Sequence, residues 1–333
     1  MARYFLIAVV ALFSLLGCIA WVKKFFSHRS AAAEMPVVKK SSAPCETAVV
    51  TVPATVLPGK NPQGEWPSVK QDDFPQIDRI FQLFTLGSSK FPIVETVTYA
   101  SAVPWLNGRP AWLADYASHF NTSRHFIARS LNGKADYFSQ KIVEGGRFNV
   151  FRRDKRIHFY LLVDVSRCKM GFYYVDLDTN ERVLIKTYVV GLGKPEARSA
   201  SGTLTPLGRY SLGNRIAVYT PGVEGYYHDQ KVEMVCVFGT RWIPFDQEVD
   251  RVSAPAKGYG LQGVPWTLDQ KKGQYVENRH CLGAYESDGC IRLAQEDIEE
   301  IFSIVITKPT FIEIVKDFRE AKLPGMEVAG PSR

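Results

Sequence analysis

Ile157 to Gly191 reads IHFYLLVDVSRCKMGFYYVDLDTNERVLIKTYVVG. Three runs of β-branched and aromatic residues follow one another here: IHFYLLVDVS, KMGFYYVDL and RVLIKTYVVG. The last two are separated by Asp178-Thr179-Asn180, short polar residues that favour turns. Runs of this kind bounded by turn residues predict consecutive strands, because such side chains pack well on a pleated surface. GRYSLG and KVEMVCVFGTRW continue the pattern downstream. A single helix is expected in AQEDIEEIFSIV, where Ile298, Ile301, Phe302 and Val305 recur at helical spacing, and TFIEIVK is expected as the closing strand. The predicted fold class is mainly β, a sandwich or barrel with one flanking helix.

Upstream, a mixed segment runs from about Phe74. It has a strand-like stretch from Glu95 to Val103 and a helical stretch, PAWLADYASHF, with Trp112, Leu113, Tyr116 and Phe120 on one face. A second helical stretch, SRHFIARSLN, can be capped by Ser123 or Thr122, and Gly145-Gly146 leads into the strand-like RFNVF. This order of strand, helix, helix and strand resembles a degenerate LysM module, which implies glycan strands as a partner of the segment. The Gly-Asp-Thr start typical of that module is absent, and a plain α+β spacer fits the same residues. Residues 30–73 are rich in Pro, Ser and Ala and read as a linker.

The first residues carry a 19-residue apolar run, Tyr4 to Val22, followed by Lys23, Lys24 and Arg29. That length suits a membrane span. A retained anchor, a cleaved signal peptide ending at Ala31-Ala32-Ala33 and a lipoprotein signal around Cys18 all fit, and the length of the run favours the anchor. Each reading delivers the rest of the chain across a membrane. The expected organisation is an anchor or signal at 1–29, a linker at 30–73, a small α+β domain at 74–152, the β domain at 153–320 and a flexible tail at 321–333.

The 333 residues carry a formal charge of +7, yet outside Arg152-Arg153-Asp154-Lys155-Arg156 the basic residues are scattered and no nucleic-acid-binding motif accompanies them. Nucleic acid is therefore not expected as a partner, and attraction to an acidic polymer or membrane surface fits better. The six cysteines, at 18, 45, 168, 236, 281 and 290, show no C-x-x-C spacing. With Cys18 in the membrane, five remain outside it, which leaves one thiol free.

Chemistry is expected at Glu286 to Leu293, reading ESDGCIRL. Cys290 follows a glycine and a loop of about 27 residues, Gly263 to Gly289, and loops of that length are usually functional. A helix start at Leu293-Ala294 would direct backbone N–H groups and a positive dipole end at the thiol, lowering its pKa. A nucleophilic cysteine also needs a base within hydrogen-bond reach. His280, on the same loop, is the candidate, with Asp288 placed to stabilise its imidazolium. A disulfide between Cys281 and Cys290 is an alternative use of the two thiols. His280, Cys281 and Cys290 lack a fourth ligand for a metal site, and Gly191-Leu192-Gly193 lacks the third glycine of a dinucleotide loop, so no metal or cofactor is expected. His119, His125 and His158 carry no partner pattern, and His228, in GVEGYYHDQ, is the one further histidine placed to reach a cleft.

Ser287 to Leu293, SDGCIRL, resembles the Ser-His-Gly-Cys-Ile-Arg-Leu signature of the YkuD-type L,D-transpeptidases. GTLTPLGRY, Gly202 to Tyr210, resembles that family's Thr-Pro-x-Gly-x-Tyr turn, preceded by Val189-Val190-Gly191. Gly258 to Gly263, GYGLQG, stands where the family has Tyr-Gly-Ile-His-Gly. The resemblance implies an extracytoplasmic, membrane-anchored cell-wall enzyme acting on peptidoglycan stem peptides. Cys290 would attack the carbonyl between the third residue, a diamino acid, and the terminal D-alanine. D-alanine would be expelled, leaving a thioester on the cysteine, which an amine of another stem would resolve into a 3-3 cross-link. Gly289 belongs to the catalytic motif, and Arg292, Gln262, Ser287, Tyr259 and Trp242 are the expected substrate contacts. Two departures stand out: the base histidine aligns with Gln262, and the histidine two residues before the cysteine is Asp288. They leave an inactive wall-binding protein, or a carboxypeptidase or cross-link hydrolase, as alternatives.

Overall fold

Strands β3 (Ile157–Asp164) and β4 (Lys169–Asp176) are buried along nearly their whole length, which a strand achieves when both faces of its sheet are covered. Phe159, Leu161 and Val163 point into one apolar core with Met170, Phe172 and Tyr174. Their neighbours Tyr160 and Leu162 point into a second core with Tyr173, Val175 and Leu184. This two-residue alternation between two cores explains why the stretch reads as continuous hydrophobic sequence. The computed structural model describes residues 73–132, 142–214, 216–269 and 271–330. The expected anchor and all of the linker but residue 73 lie outside these. Among the described residues no helix is long and apolar enough to cross a membrane.

Among the described residues the first elements are a one-turn helix, α1 (Phe81–Phe84), then β1 (Val94–Thr98), α2 (Leu113–His119), α3 (Arg124–Asn132) and β2 (Arg147–Phe151). β1 and β2 pair antiparallel, giving the predicted order of strand, two helices and strand. Ser123 caps α3 by accepting from the Phe126 amide at 2.9 Å, whereas Thr122 accepts from the Phe151 amide on β2. Trp112 departs from the predicted apolar face. It precedes α2, is 64% exposed, and lies under the Arg109 guanidinium.

After β3 and β4 come β5 (Glu181–Val189), β6 (Leu192–Gly193), β7 (Gly208–Leu212), β8 (Ala217–Val218), β9 (Glu224–Tyr227) and β10 (Gln230–Glu233). Next are a one-turn helix, α4 (Val235–Phe238), then β11 (Arg241–Asp250), β12 (Gly260–Gly263), β13 (Trp266–Asp269), β14 (Gln274–Glu277), β15 (Tyr285–Ser287) and β16 (Ile291–Leu293). The helix α5 (Gln295–Val305), β17 (Thr310–Val315) and β18 (Met326–Glu327) end the described chain. The main sheet runs β16-β12-β11-β7-β17-β3-β4-β5-β18, with β8 added against β11, and is curled into a half-barrel. Its pairs are antiparallel except β17 with β3, β12 with β16 and β18 with β5. The protein is thus mainly β with one long helix beside the sheet, as predicted.

Three local expectations change. KVEMVCVFGTRW is not one strand, because α4 interrupts it: the Phe238 and Gly239 amides bond back to Met234 and Val235, and Gly239 closes the turn at φ +62. The long loop from Gly263 to Gly289 is largely ordered into the β13–β14 hairpin, a 3-10 turn at Arg279–Cys281 and β15. Finally, the tail expected to be flexible lies along β5, where Arg182 donates to the carbonyls of Leu323, Pro324 and Gly325.

The small α+β segment keeps a core of its own around Tyr116, Ile127 and Phe148, yet Leu83, Phe91, Ile93, Phe126 and Phe151 enter the main core. Phe126 is fully buried, its ring 4.5 Å from that of Phe151 and 5.1 Å from that of Phe84. Phe126→Ala should therefore leave a cavity where the two parts of the molecule meet. It is expected to destabilise the protein by about 3–5 kcal/mol in urea unfolding; a loss under 1 kcal/mol would show that this ring does not join them.

Candidate active site

Cys290 sits in the turn between β15 and β16, and the three residues before it hold that turn. The Ser287 hydroxyl donates to the Cys290 carbonyl at 2.6 Å and accepts from the Gly289 amide at 3.1 Å. Gly289 has φ +114, and a Cβ there would fall 2.5 Å from Tyr259 Cε1 and 2.8 Å from the Leu204 carbonyl. Only glycine fits both the backbone angle and the space. From the Thr-Pro turn, the Thr205 hydroxyl donates to the Gly289 carbonyl at 3.1 Å and accepts from the Gly193 amide at 2.8 Å. The two motifs separated in sequence are therefore hydrogen-bonded to one another.

The thiol is partly exposed. It donates to the Gly258 carbonyl at 3.7 Å and receives a backbone hydrogen bond from Gly260. Burial pushes it up from an ordinary 9.0 to about 11, and the Asp288 carboxylate adds to this. The Gly260 hydrogen bond and the Arg292 charge pull the other way. The expected depression by a helix N-terminus is absent, because α5 begins at Gln295 and β16 lies between it and the cysteine. Dipole effects fade within about one turn. At neutral pH the group is a thiol.

Around it, Asp288 is exposed and ion-paired with Lys194 at 2.8 Å, which holds its carboxyl below the ordinary value. Arg292 exchanges backbone hydrogen bonds with Gly191 at 2.8 and 2.9 Å, and its guanidinium acts on Cys281, Cys290 and Asp288. Its Nε is buried without a hydrogen-bond partner. Glu296, in the first turn of α5, pairs with Arg279 and not with Arg292, which lies on β16. Gln262 is buried on β12, beside Arg292 and opposite Trp242, and donates to the Val237 carbonyl at 2.9 Å. The Trp242 ring covers Gly260, and the Tyr259 ring covers Gly289.

His280 lies exposed on the 3-10 turn. Among the described residues, the groups acting on the Cys290 thiol are Gly258, Gly260, Arg292, Asp288 and Tyr227, and His280 is not one of them. Its neighbour Cys281 is buried and donates to the Asn278 carbonyl. The four described cysteines, Cys281 and Cys290 included, are free thiols. Among the described residues no cluster of three or more His, Cys, Asp or Glu side chains could hold a metal ion. A cavity of about 380 Å³, lined by Asn121, Leu212, Ile243, Val305 and Lys308, does not include the thiol.

Sequence reasoning missed Lys194 and Tyr227, and singled out His228 only as a histidine placed to reach a cleft. Tyr227 lies on the β9–β10 hairpin, where the charges of Asp288 and Cys290 act on its hydroxyl. Burial first, then Asp288 and Cys290, raise its hydroxyl, while Arg292 lowers it. The His228 charge reaches Asp288. The available signal was the pair of short β runs flanking His228-Asp229, which places both at a hairpin tip.

Residues 158–314 match the family model described as YkuD, the L,D-transpeptidase catalytic domain. This segment belongs to the YkuD family. No curated protein sequence matches the chain. Among solved structures, Bd1075 of Bdellovibrio bacteriovorus is 16% identical over 48% of each chain, with a TM-score of 0.32. The helical cell shape determining protein Pgp2 of Campylobacter jejuni is 15% identical over 51% of each chain, with a TM-score of 0.33. This chain thus spans about half the length of either. The family match starts within β3, leaving the small α+β segment outside it.

Two outcomes are expected at this YkuD site. Gly289→Ala should displace Tyr259 or the Leu204 carbonyl and weaken the Thr205 tie, seen as faster proteolysis of the 285–293 region with a lowered Tm. With a thiol near 11, alkylation of the Cys290 peptide by iodoacetamide at pH 7 should run at about one hundredth the rate of a thiol of pKa 9, rising steadily beyond pH 9. A rate plateau near neutral pH would contradict the burial argument.

Proposed function

We propose that the YkuD domain is a Cys290-dependent acyltransferase acting on peptidoglycan stem peptides, with L,D-transpeptidation into 3-3 cross-links as its reaction. The observation that carries this reading is the pairing of a partly exposed thiol with Arg292, whose buried Nε lacks a partner. An unpaired buried guanidinium N–H is costly, and a substrate carboxylate satisfies it with a charge-assisted bond. The same carboxylate would orient a stem peptide with its scissile carbonyl near the sulfur. Attack forms the C–S bond, the C–N bond to D-alanine breaks, and the thioester passes to an amine of a second stem. Transfer to water instead would make the protein a carboxypeptidase or cross-link hydrolase. The reading also includes an extracytoplasmic domain at 153–320, tethered through Tyr4 to Val22 and the linker, with the 74–152 segment as a spacer or glycan contact.

A second reading, a stem-peptide-binding domain without turnover, is favoured by two facts: the thiol is neutral at pH 7, and the Gln262 amide is committed to the Val237 carbonyl. Incubating the full-length reduced protein with a carbapenem separates the two. The acyltransferase should gain the mass of one inhibitor, and Cys290→Ala should not. No adduct, with unchanged retention of Cys290→Ala on isolated cell-wall sacculi, would overturn the enzymatic reading in favour of binding.

A further inference from the structure

The helix α5 ends at Val305, and the residues after it form one wall of the cavity of about 380 Å³. Val305 itself and Ile243 of β11, both buried, give that cavity an apolar lining. Asn121 enters it from the small α+β segment, so the cavity lies where that segment meets the YkuD domain. Its volume falls in the range of pockets that enclose small organic ligands, roughly 300–1,000 Å³.

Polar groups without protein partners gather around the same space. Among the described residues lining it, Lys308 is the only charged one, and no described carboxylate pairs with it. Its ammonium stands 5.3 Å from the centre of the buried Phe151 ring, and burial alone pushes it below the ordinary 10.5. Taking a cation partly out of water without an anion is costly, and an aromatic face offsets only part of that cost. The dipole at the end of α5 would attract a lysine, yet this ammonium donates to none of the described carbonyls there. The Asn121 and Asn214 amides, also in the lining, make no hydrogen bond to a described residue. The Thr307 hydroxyl in the same turn is buried without a hydrogen-bond partner.

We propose that this cavity is a binding site for a small aliphatic carboxylate, whose anion takes the Lys308 ammonium and the Asn121 amide while its apolar body rests on Ile243 and Val305. The site is separate from Cys290 and does not depend on the acyl-transfer reading. A carboxylate supplies the charge-assisted bond that Lys308 lacks. An apolar body is required as well, because Ile243 and Val305 offer an inorganic anion nothing in exchange for its water. Since Asn121 and Ile243 belong to the two parts of the molecule that Phe126 joins, the ligand bridges them. A ligand that binds only the folded protein raises its Tm.

The test is calorimetric titration of the full-length protein at pH 7 with 4-methylpentanoate, its uncharged amide 4-methylpentanamide and the cation 3-methylbutylammonium. The carboxylate should bind one-to-one with a Kd of about 1 mM or tighter and raise the Tm, with the amide weaker by roughly tenfold and the cation not binding. Lys308→Met should weaken the carboxylate by roughly tenfold, and Lys308→Arg should keep it. Protection of Lys308 from acetic anhydride, read on its peptide by mass spectrometry, locates the ligand in the wild-type protein whether or not a variant folds. N-acetyl-leucine, which carries the end of a peptide, separates the two sources of such a group. Tighter binding than 4-methylpentanoate assigns the site to a peptide end, and weaker binding to a free short-chain acid. Absence of saturable carboxylate binding would overturn the proposal, as would equal binding of carboxylate and amide. So would binding that leaves Lys308 unprotected and survives Lys308→Met unchanged.

Discussion

The parallel pairing of β12 with β16 is the contact on which the site depends. Leu261 lies opposite Ile291 and Gln262 opposite Arg292, so Gly260 falls beside Cys290. On its other side Gly260 packs against β11, where a Cβ would come within 2.5 Å of the Ile243 carbonyl and 2.9 Å of the Trp242 ring. β16 is only three residues long and cannot hold its own position. It is fixed by the Gly191 bridge, by burial of Ile291 and Leu293 in the main core, and by the Thr205 bond to Gly289. Removing any of these ties would move the thiol relative to Gly260 before it touched the chemistry.

Electrostatics around the sulfur follow from that placement. Burial favours the neutral thiol, and Asp288 reinforces this where the family motif has a histidine. Arg292 and the Gly260 hydrogen bond oppose it without prevailing. The resting thiol is therefore protonated, and under the proposed acyl transfer a base would have to act in the complex, not in the resting protein. A guanidinium with a buried Nε that lacks a hydrogen-bond partner and a lysine-bound carboxylate thus leave fixed charges of both signs around the thiol.

Legibility in the sequence varied with the range of the interaction. The strands at 157–191 and the helix at 295–305 were readable because their signals, alternation and helical spacing, lie within a few residues. So was the Ser123 cap. KVEMVCVFGTRW misled because its β-branched composition outweighed Gly239, whose left-handed turn closes α4. The supposed helix start beside Cys290 misled as well: Ile291 to Leu293 pairs with a strand about thirty residues earlier, and no local pattern reveals a parallel partner. Trp112 fits the apolar spacing yet points outward, held beneath Arg109.

The sequence by itself determined the mainly β class, the order of the YkuD motifs, and the identity of Cys290, Gly289 and Arg292 as the residues to watch. Spacing and turn chemistry are local properties and survive in a one-dimensional string. Only the tertiary structure decided which groups surround the thiol. Lys194, Tyr227 and Asp288 meet there from chain segments separated by tens of residues, while His280, ten residues away, stays exposed. The pKa of a partly buried group is set by such neighbours and by lost solvent, neither of which depends on distance along the chain.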